Sequence, residues 1–302
     1  MKYLMPLVML QLLSSPAEAV GNGPPLGPED VPITNRMVFI EITSPNHKSC
    51  SGVIFRTNVV LTSAHCFENS ISEKEFRKGL RSHVVVKARS VKVKPSIDAN
   101  AELDVEKFFV NPSYISFDGE GNGFFSGYDV AVVILKDQLG TGKYEQVRVP
   151  TGSEDYMATR TLGPANYGMH LYGYGPFGGA LSDRTNLGKV RMWGGTDLVG
   201  AGGTLSDMAE YFDGWPKQYT CAGDSGGGVF LGPEGEFDDQ GDKSWANQSG
   251  TGATAPLQQN PVLIGLISMS NNVSGKCGEF AKFARIDKNL PWIAGVLKAY
   301  PK

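Results

Sequence analysis

Cys221-Ala222-Gly223-Asp224-Ser225-Gly226-Gly227-Gly228 is the stretch on which the reading of this chain turns. One serine stands among glycines, with an aspartate before it and a cysteine just upstream. Glycine takes positive φ and lets a neighbouring group come close. Such a run can hold a hydroxyl at the tip of a sharp turn, with backbone N–H groups aimed at the same spot. The plainer reading is a surface turn, since Gly, Ser and Asp favour turns for local reasons. The rest of the chain separates the two.

Two upstream stretches bear on the choice. The strand-like run 58–62 leads into Leu61-Thr62-Ser63-Ala64-His65-Cys66, and a Gly-rich, aromatic stretch at 118–128 delivers Asp129 to the head of Val130-Ala131-Val132-Val133-Ile134-Leu135. That last run is apolar at every position, so both of its faces belong in a core. A serine hydroxyl is a poor nucleophile until a base takes its proton, and the base needs a partner to fix its tautomer. His65, Asp129 and Ser225 suit these roles: His65 as general base and then acid, Asp129 against the other imidazole nitrogen, and Ser225 as attacking group. The N–H groups of Gly223 and Ser225 would hold the developing oxyanion. Singly, a histidine beside a cysteine is commonly structural, and an aspartate before a strand is commonly a cap. Their joint occurrence with a glycine-framed serine favours chemistry.

The remaining texture is that of short strands. Runs at 37–43, 50–55, 84–93, 105–110, 169–174, 188–193, 218–221, 229–231, 262–269 and 280–286 are separated by turn residues, in a chain with 38 glycines and 18 prolines. Residues 68–80 read as a short helix or a loop, 136–166 as a crossover, and 232–261 as a polar, acidic surface insertion. Leu290, Ile293, Ala294 and Leu297 share one helical face within 287–300, with Asp287 as a cap and Pro291 early in the helix. No repeat is evident. An all-β barrel or sandwich architecture with a closing helix follows.

The net charge of −3 gives no reason to expect nucleic acid. Four cysteines without a close pair argue against zinc, and the acidic insertion does not have the spacing of a calcium loop. No metal or cofactor is called for. Residues 1–19 read as a secretory signal: Lys2, an apolar run over 4–13, and Ala17-Glu18-Ala19 as the processing site. That predicts secretion, or export to a periplasm, without a membrane anchor, and disulfides as the default. Residues 20–36 are a Gly- and Pro-rich leader or mature N-terminal segment. Asn247 and Asn272 sit in glycosylation sequons that matter only in a host that glycosylates secreted proteins.

Leu61 to Cys66, Tyr128 to Leu135 and Cys221 to Gly227 together resemble the three signature regions of the trypsin/chymotrypsin-like serine endopeptidases, and the order His65, Asp129, Ser225 matches. The resemblance extends over about 37–301. It includes Gly173-Tyr174-Gly175, similar to the family's Gly-Trp-Gly turn, and the helix around Trp292 and Ile293. It implies two six-stranded antiparallel β-barrels, 37–150 and 151–302, with the active site in the cleft between them. It implies a serine endopeptidase working through an acyl-enzyme, monomeric, with protein or peptide substrates and protein inhibitors as partners. Among the three pairings that four cysteines allow, it selects Cys50–Cys66 and Cys221–Cys277.

The resemblance also assigns Asp224 a buried ion pair with the α-amino group of the mature N-terminus. No Arg- or Lys-Ile-Val-Gly-Gly motif precedes Cys50, so signal cleavage exposing Val20 is one route, and cleavage within 23–36 another. Tyr219 stands where the family has the floor of its primary pocket, and Ser270 where it usually has a glycine on the wall. Ser268 and Met269 resemble the segment that binds substrate backbone as an added strand. A tyrosine floor would favour small or medium apolar side chains, unless it swings aside. Glu279, if it reached the pocket, would bring basic residues back. An inactive secreted homologue acting as a binding protein, and an esterase using the same triad, are the alternatives.

Overall fold

A computed structural model describes residues 26, 30–43, 47–68, 91–96, 98, 100–114, 127–139, 147–150, 167–175, 188–194, 208–210, 220–231, 262–270 and 281–301. A short helix, α1 (Val31–Thr34), precedes six strands: β1 (Met37–Ile42), β2 (Lys48–Arg56), β3 (Val59–Thr62), β4 (Val91–Pro95), β5 (Leu103–Val110) and β6 (Ala131–Leu135). They close into an antiparallel barrel in the order β1-β2-β3-β6-β5-β4. Six more follow: β7 (Tyr167–Gly173), β8 (Gly188–Gly194), β9 (Met208–Glu210), β10 (Gly228–Leu231), β11 (Leu263–Ser270) and β12 (Ala281–Arg285), and then α2 (Ile286–Ala299).

Among the described residues the second group does not close into a second barrel, which corrects the expectation of two. It is an open six-stranded sheet in the order β8-β7-β10-β11-β12-β9, with β8 and β9 as its edges. The physical reason lies at the edges. β9 has only three residues and pairs with β12, and no described pair joins its other edge to β8, so the sheet stays open. The all-β class holds; the closure of the second unit does not.

Strand alternation explains why so many strands are apolar throughout. Side chains of period two point to opposite faces. In β6, Ala131, Val133 and Leu135 fill the barrel interior with Val38, Ile40, Ile42 and Val60. Val130, Val132 and Ile134 face outward into a second cluster with Leu61, Phe109, Tyr172, Phe230, Leu266 and Ile293. The outer cluster joins the barrel to the open sheet and to α2. One face of each barrel strand thus serves the barrel, and the other serves the junction. The charged residue of β1, Glu41, is buried and receives Lys94 Nζ at 2.8 Å.

The described elements follow the expected runs closely, with local differences. The 84–93 strand is described only from Val91, and of the 218–221 run only Thr220, in a bridge, and Cys221 are described. The segment before β1, read as a leader or mature N-terminal segment, contains α1. Its Ile33 enters the outer cluster, and Asp30 just before it is fully buried, accepting a hydrogen bond from Tyr172 Oη at 2.7 Å. β9 was not expected. Asp287 does not cap α2. The cap position is Arg285, and the Asp287 carboxylate instead pairs with the Arg285 guanidinium at 2.5 and 2.9 Å. Because the helix starts at Ile286, Pro291 lies beyond its first turn.

α2 is fixed to the barrel at two places. Tyr300 packs on Phe109 with ring centroids 4.8 Å apart and lies under Lys107 Nζ at 4.3 Å. Asn289 is fully buried; its Nδ2 donates to the Gly127 carbonyl at 2.9 Å and to the Arg285 carbonyl at 2.7 Å, and its Oδ1 accepts from Asn111 Nδ2 at 2.8 Å. Asn289→Ala leaves buried polar groups on both units without these partners, each worth about 1–3 kcal/mol when orphaned. We expect a loss of at least about 2 kcal/mol in denaturant unfolding; a change within experimental scatter would show that the two units do not depend on this contact.

Candidate active site

β3 runs into Ser63, whose extended backbone (φ −79°, ψ 142°) opens a single 3-10 turn, Ala64–Phe67, that carries His65. The turn is stapled to β2 by the disulfide Cys50–Cys66, with Cα atoms 6.3 Å apart. Lys48, also on β2, donates from Nζ to the His65 carbonyl at 2.8 Å. Burial pushes this lysine's pKa down, and the charges of Glu68 and Asp129 partly offset that.

Asp129 reaches the histidine through a tight turn, in which the Val130 N–H donates to the Tyr128 carbonyl at 2.7 Å. Its carboxylate is fully buried, while His65 keeps 13% of its side-chain exposure. His65 Nδ1 lies 2.7 Å from Asp129 Oδ2, and the His65 backbone N–H donates to Oδ1 at 2.8 Å. Ser268 Oγ donates to Oδ2 at 2.5 Å. Burial alone would raise the carboxyl pKa. The His65 charge, the His65 ring and backbone bonds and the Ser268 hydroxyl outweigh burial and hold it below the ordinary range. An ionised carboxylate only accepts, so Nδ1 carries a proton, and in the neutral form of the ring the lone pair is on Nε2.

Ser268 gains this contact from a bulge. The β11–β12 register passes from Ile267↔Phe283 to Met269↔Lys282 and leaves Ser268 without an opposite residue. A bulge re-aims one side chain, and here that hydroxyl is turned onto Asp129.

The serine loop lies between β10 and the barrel. Gly223 (φ 99°) and Gly226 (φ 81°) occupy conformations that other residues rarely adopt. A Cβ on Gly226 would run into Thr62 Oγ1 and the Ser51 carbonyl. The Gly226 N–H donates to the Ile267 carbonyl at 2.7 Å, and the Ile267 N–H to the Gly227 carbonyl at 2.9 Å. Ser225 is half-buried, and its carbonyl accepts the Ser51 N–H at 2.8 Å. Ser63 Oγ reaches the Ile267 carbonyl at 2.7 Å. The loop is therefore bonded to the strand that carries Ser268 and to β2, to which the histidine turn is stapled.

Asp224 is buried in this loop. Its carboxylate accepts the Gly175 N–H at 2.6 Å and the Cys221 N–H at 2.7 Å. Gly173 and Gly175 make room for it, since a Cβ on either would collide with its side chain. Burial pushes its pKa up to about 7, with the two N–H bonds offsetting only part of the effect.

Of the expected residues, His65, Asp129 and Ser268 are in direct contact, and the loop that carries Gly223, Asp224 and Ser225 is bonded to Ser51 and to Ile267, the residue before Ser268. Met269 and Ser270 lie on β11 opposite Lys282 and Ala281. Cys221 is disulfide-bonded. Val20, Tyr219, Cys277 and Glu279 lie outside the described residues. Three residues escaped the sequence reading: Lys48, Ser51 and Ser63. Each adjoins or lies within a quoted motif, yet its bond runs to a residue that sequence distance does not reveal. Among the described residues, no group of three or more His, Cys, Asp or Glu side chains could hold a metal ion, and no helix is long and apolar enough to cross a membrane.

A closed β-barrel with a disulfide-stapled histidine on a buried, ionised aspartate beside a glycine-framed serine loop defines a serine-protease-like hydrolase scaffold. The family model described as Trypsin matches residues 26–293, and the chain belongs to that family. A comparison with curated proteins gives no match.

The two buried carboxylates predict opposite pH effects on stability. Asp224 has a folded-state pKa of about 7 against an ordinary 3.8, so between these values the folded protein holds a proton that the unfolded chain has released. Its contribution to stability therefore falls as pH rises from about 4 to about 7 and is level above that. Asp129, held below its ordinary value, contributes above that value and loses its contribution as pH falls through its folded pKa. Urea unfolding of Asp224→Asn between pH 4 and 8 should lack the Asp224 decline that the parent shows. Parallel curves would mean that the carboxyl is ionised throughout that range.

Proposed function

We propose that this protein is a secreted serine endopeptidase that cleaves peptide bonds with His65, Asp129 and Ser225 through an acyl-enzyme intermediate. The observation that carries the reading is the Asp129 carboxylate, fully buried and bonded at 2.7 Å to His65 Nδ1. Such a pair fixes the imidazole so that Nε2 is the basic nitrogen. Ser225 Oγ attacks the carbonyl carbon as its proton passes to Nε2, and Asp129 stabilises the imidazolium. The N–H groups of Gly223 and Ser225 receive the oxyanion. Collapse breaks the C–N bond, with His65 returning the proton to the leaving amine. Water, deprotonated by His65, then attacks the ester carbonyl and releases Ser225.

The proposed substrates are proteins or peptides with small or medium apolar side chains before the cleaved bond, on the grounds of the sequence resemblance, which assigns Tyr219 to the pocket floor and Ser270 to its wall. The Cys50–Cys66 disulfide supports an oxidising compartment.

A fluorophosphonate probe applied to processed, folded protein should label Ser225, and Ser225→Ala should lose both labelling and peptide hydrolysis. Asp129→Asn should keep substrate affinity and lose about 10⁴-fold in kcat, because the amide favours the wrong imidazole tautomer. Absence of labelling in the parent would reject the enzyme reading. Cleavage-site profiling on a mixed peptide library tests the apolar preference, which a majority of cuts after Lys or Arg would overturn.

A further inference from the structure

Ser51 lies on β2 and is fully buried, at a position with no role in the chemistry just described. Its backbone N–H donates to the Ser225 carbonyl at 2.8 Å, and its Oγ–H donates to the Gly223 carbonyl at 2.8 Å. The same Oγ accepts the Tyr174 N–H at 2.8 Å. Its own carbonyl accepts Thr62 Oγ1 at 2.7 Å, three residues before His65. One residue of the barrel therefore grips the two loop residues whose N–H groups would face the oxyanion, each through its carbonyl.

A peptide N–H is aimed by the φ and ψ of its neighbours, and Gly223 has no side chain to limit either. Its φ of 99° must be imposed from outside. A bond to the Gly223 carbonyl fixes the peptide plane that follows it, and a bond to the Ser225 carbonyl fixes the plane two residues on. With both planes tied to a strand of a closed barrel, the intervening backbone has little freedom left. The bond from Tyr174 orients the Ser51 hydroxyl in turn: with one lone pair engaged by an N–H, its proton is directed at Gly223. Preorganised donors of this kind need no rearrangement when charge develops, which is the origin of their effect on rate.

We infer that Ser51 is a positioning residue of the oxyanion site, a hydroxyl clasp that fixes the backbone from the Gly223 carbonyl to the Ser225 carbonyl, and with it the direction of the Ser225 N–H, from the opposite unit. The inference rests on the serine-endopeptidase reading of the same site. It separates ground-state binding from transition-state binding: the buried Ser51 side chain is out of reach of substrate, whereas the tetrahedral oxyanion depends on the Ser225 N–H that Ser51 aims.

The test compares the parent with Ser51→Ala and Ser51→Cys, the second keeping volume with a much weaker donor. Val93→Ala, in the barrel interior away from the loop, serves as a destabilised control. The readouts are kcat and KM on a peptide substrate and the affinity of a peptide aldehyde, which forms a tetrahedral adduct, against that of the matching peptide alcohol, which does not. We expect kcat to fall about 10- to 100-fold in Ser51→Ala, less than for removal of a donor itself. KM and alcohol affinity should stay within about threefold, and aldehyde affinity should fall in parallel with kcat/KM. Ser51→Cys should lie between, and Val93→Ala should keep the parental kcat. Parental kcat and aldehyde affinity in both Ser51 variants would overturn the inference, as would equal losses of aldehyde and alcohol affinity. Should Ser51→Ala fail to fold, the same comparison on Ser51→Cys decides. Fluorophosphonate labelling of the parent separates the two levels: an unlabelled parent rejects the enzyme reading, whereas a labelled, active parent with unaffected Ser51 variants rejects the clasp alone.

Discussion

Burying the carboxylate of Asp129 is the constraint on which the arrangement of this protein depends. An ionised carboxylate removed from water loses several kcal/mol of hydration, on the order of magnitude found for buried ions generally, and is tolerated only when its lone pairs are occupied. Here the donors come from both units. His65 supplies its ring and its backbone N–H from the barrel, and Ser268 supplies its hydroxyl from the open sheet. Neither unit alone completes the set. The ion therefore favours docking of the sheet onto the barrel in one register, since sliding by one residue would take Ser268 away from it.

The apolar side of the structure supports the same geometry. The cluster around Val132, Phe230, Leu266 and Ile293 spans the barrel's outer face, the sheet and α2. Hydrophobic burial is non-directional, so it brings the surfaces together without choosing their register. The polar contacts select it. Asn289 connects α2 to Gly127, two residues before Asp129, and Ser63 connects the segment before His65 to Ile267, one residue before Ser268. Each hydrogen bond sits one or two residues from the carboxylate or one of its donors, so an error in docking would be felt at Asp129 first.

How much of this was legible depends on whether the information is local. The both-faced apolarity of 130–135 announced a strand buried on two sides, and it is. The glycines around Ser225 announced positive φ, which Gly223 and Gly226 adopt. The resemblance supplied the disulfide of the histidine turn, now seen between Cys50 and Cys66. It also carried the two-barrel expectation, which fails because closure depends on whether edge strands meet. Nothing in the runs at 188–193 or 208–210 encodes such a meeting, and β9 is too short to stand out as a strand at all. The Ser268 bulge was equally hidden, because Leu263–Ser270 reads as one uninterrupted strand. Ser51 was read as part of a strand beside a cysteine, and its bond to Gly223 spans 172 positions.

The contrast between Asp129 and Asp224 shows what distinguishes the two sides of the site. Both are fully buried, yet one is held below the ordinary carboxylate range and the other is pushed up to about 7. The number of hydrogen bonds does not explain this, since three donors against two is a modest difference. The difference is charge. Asp129 faces an imidazole that can become a cation, while the described donors to Asp224 are neutral backbone amides. A neutral donor stabilises an anion without cancelling it, so burial prevails at Asp224 and not at Asp129. Near neutral pH, then, Asp129 is a fixed negative charge suited to a partner that gains a proton. Asp224 is a carboxyl only partly ionised there, and the backbone that carries Gly223 and Ser225 is attached to it on either side. Ser51 holds the same backbone from the barrel, through the Gly223 and Ser225 carbonyls on either side of that carboxyl.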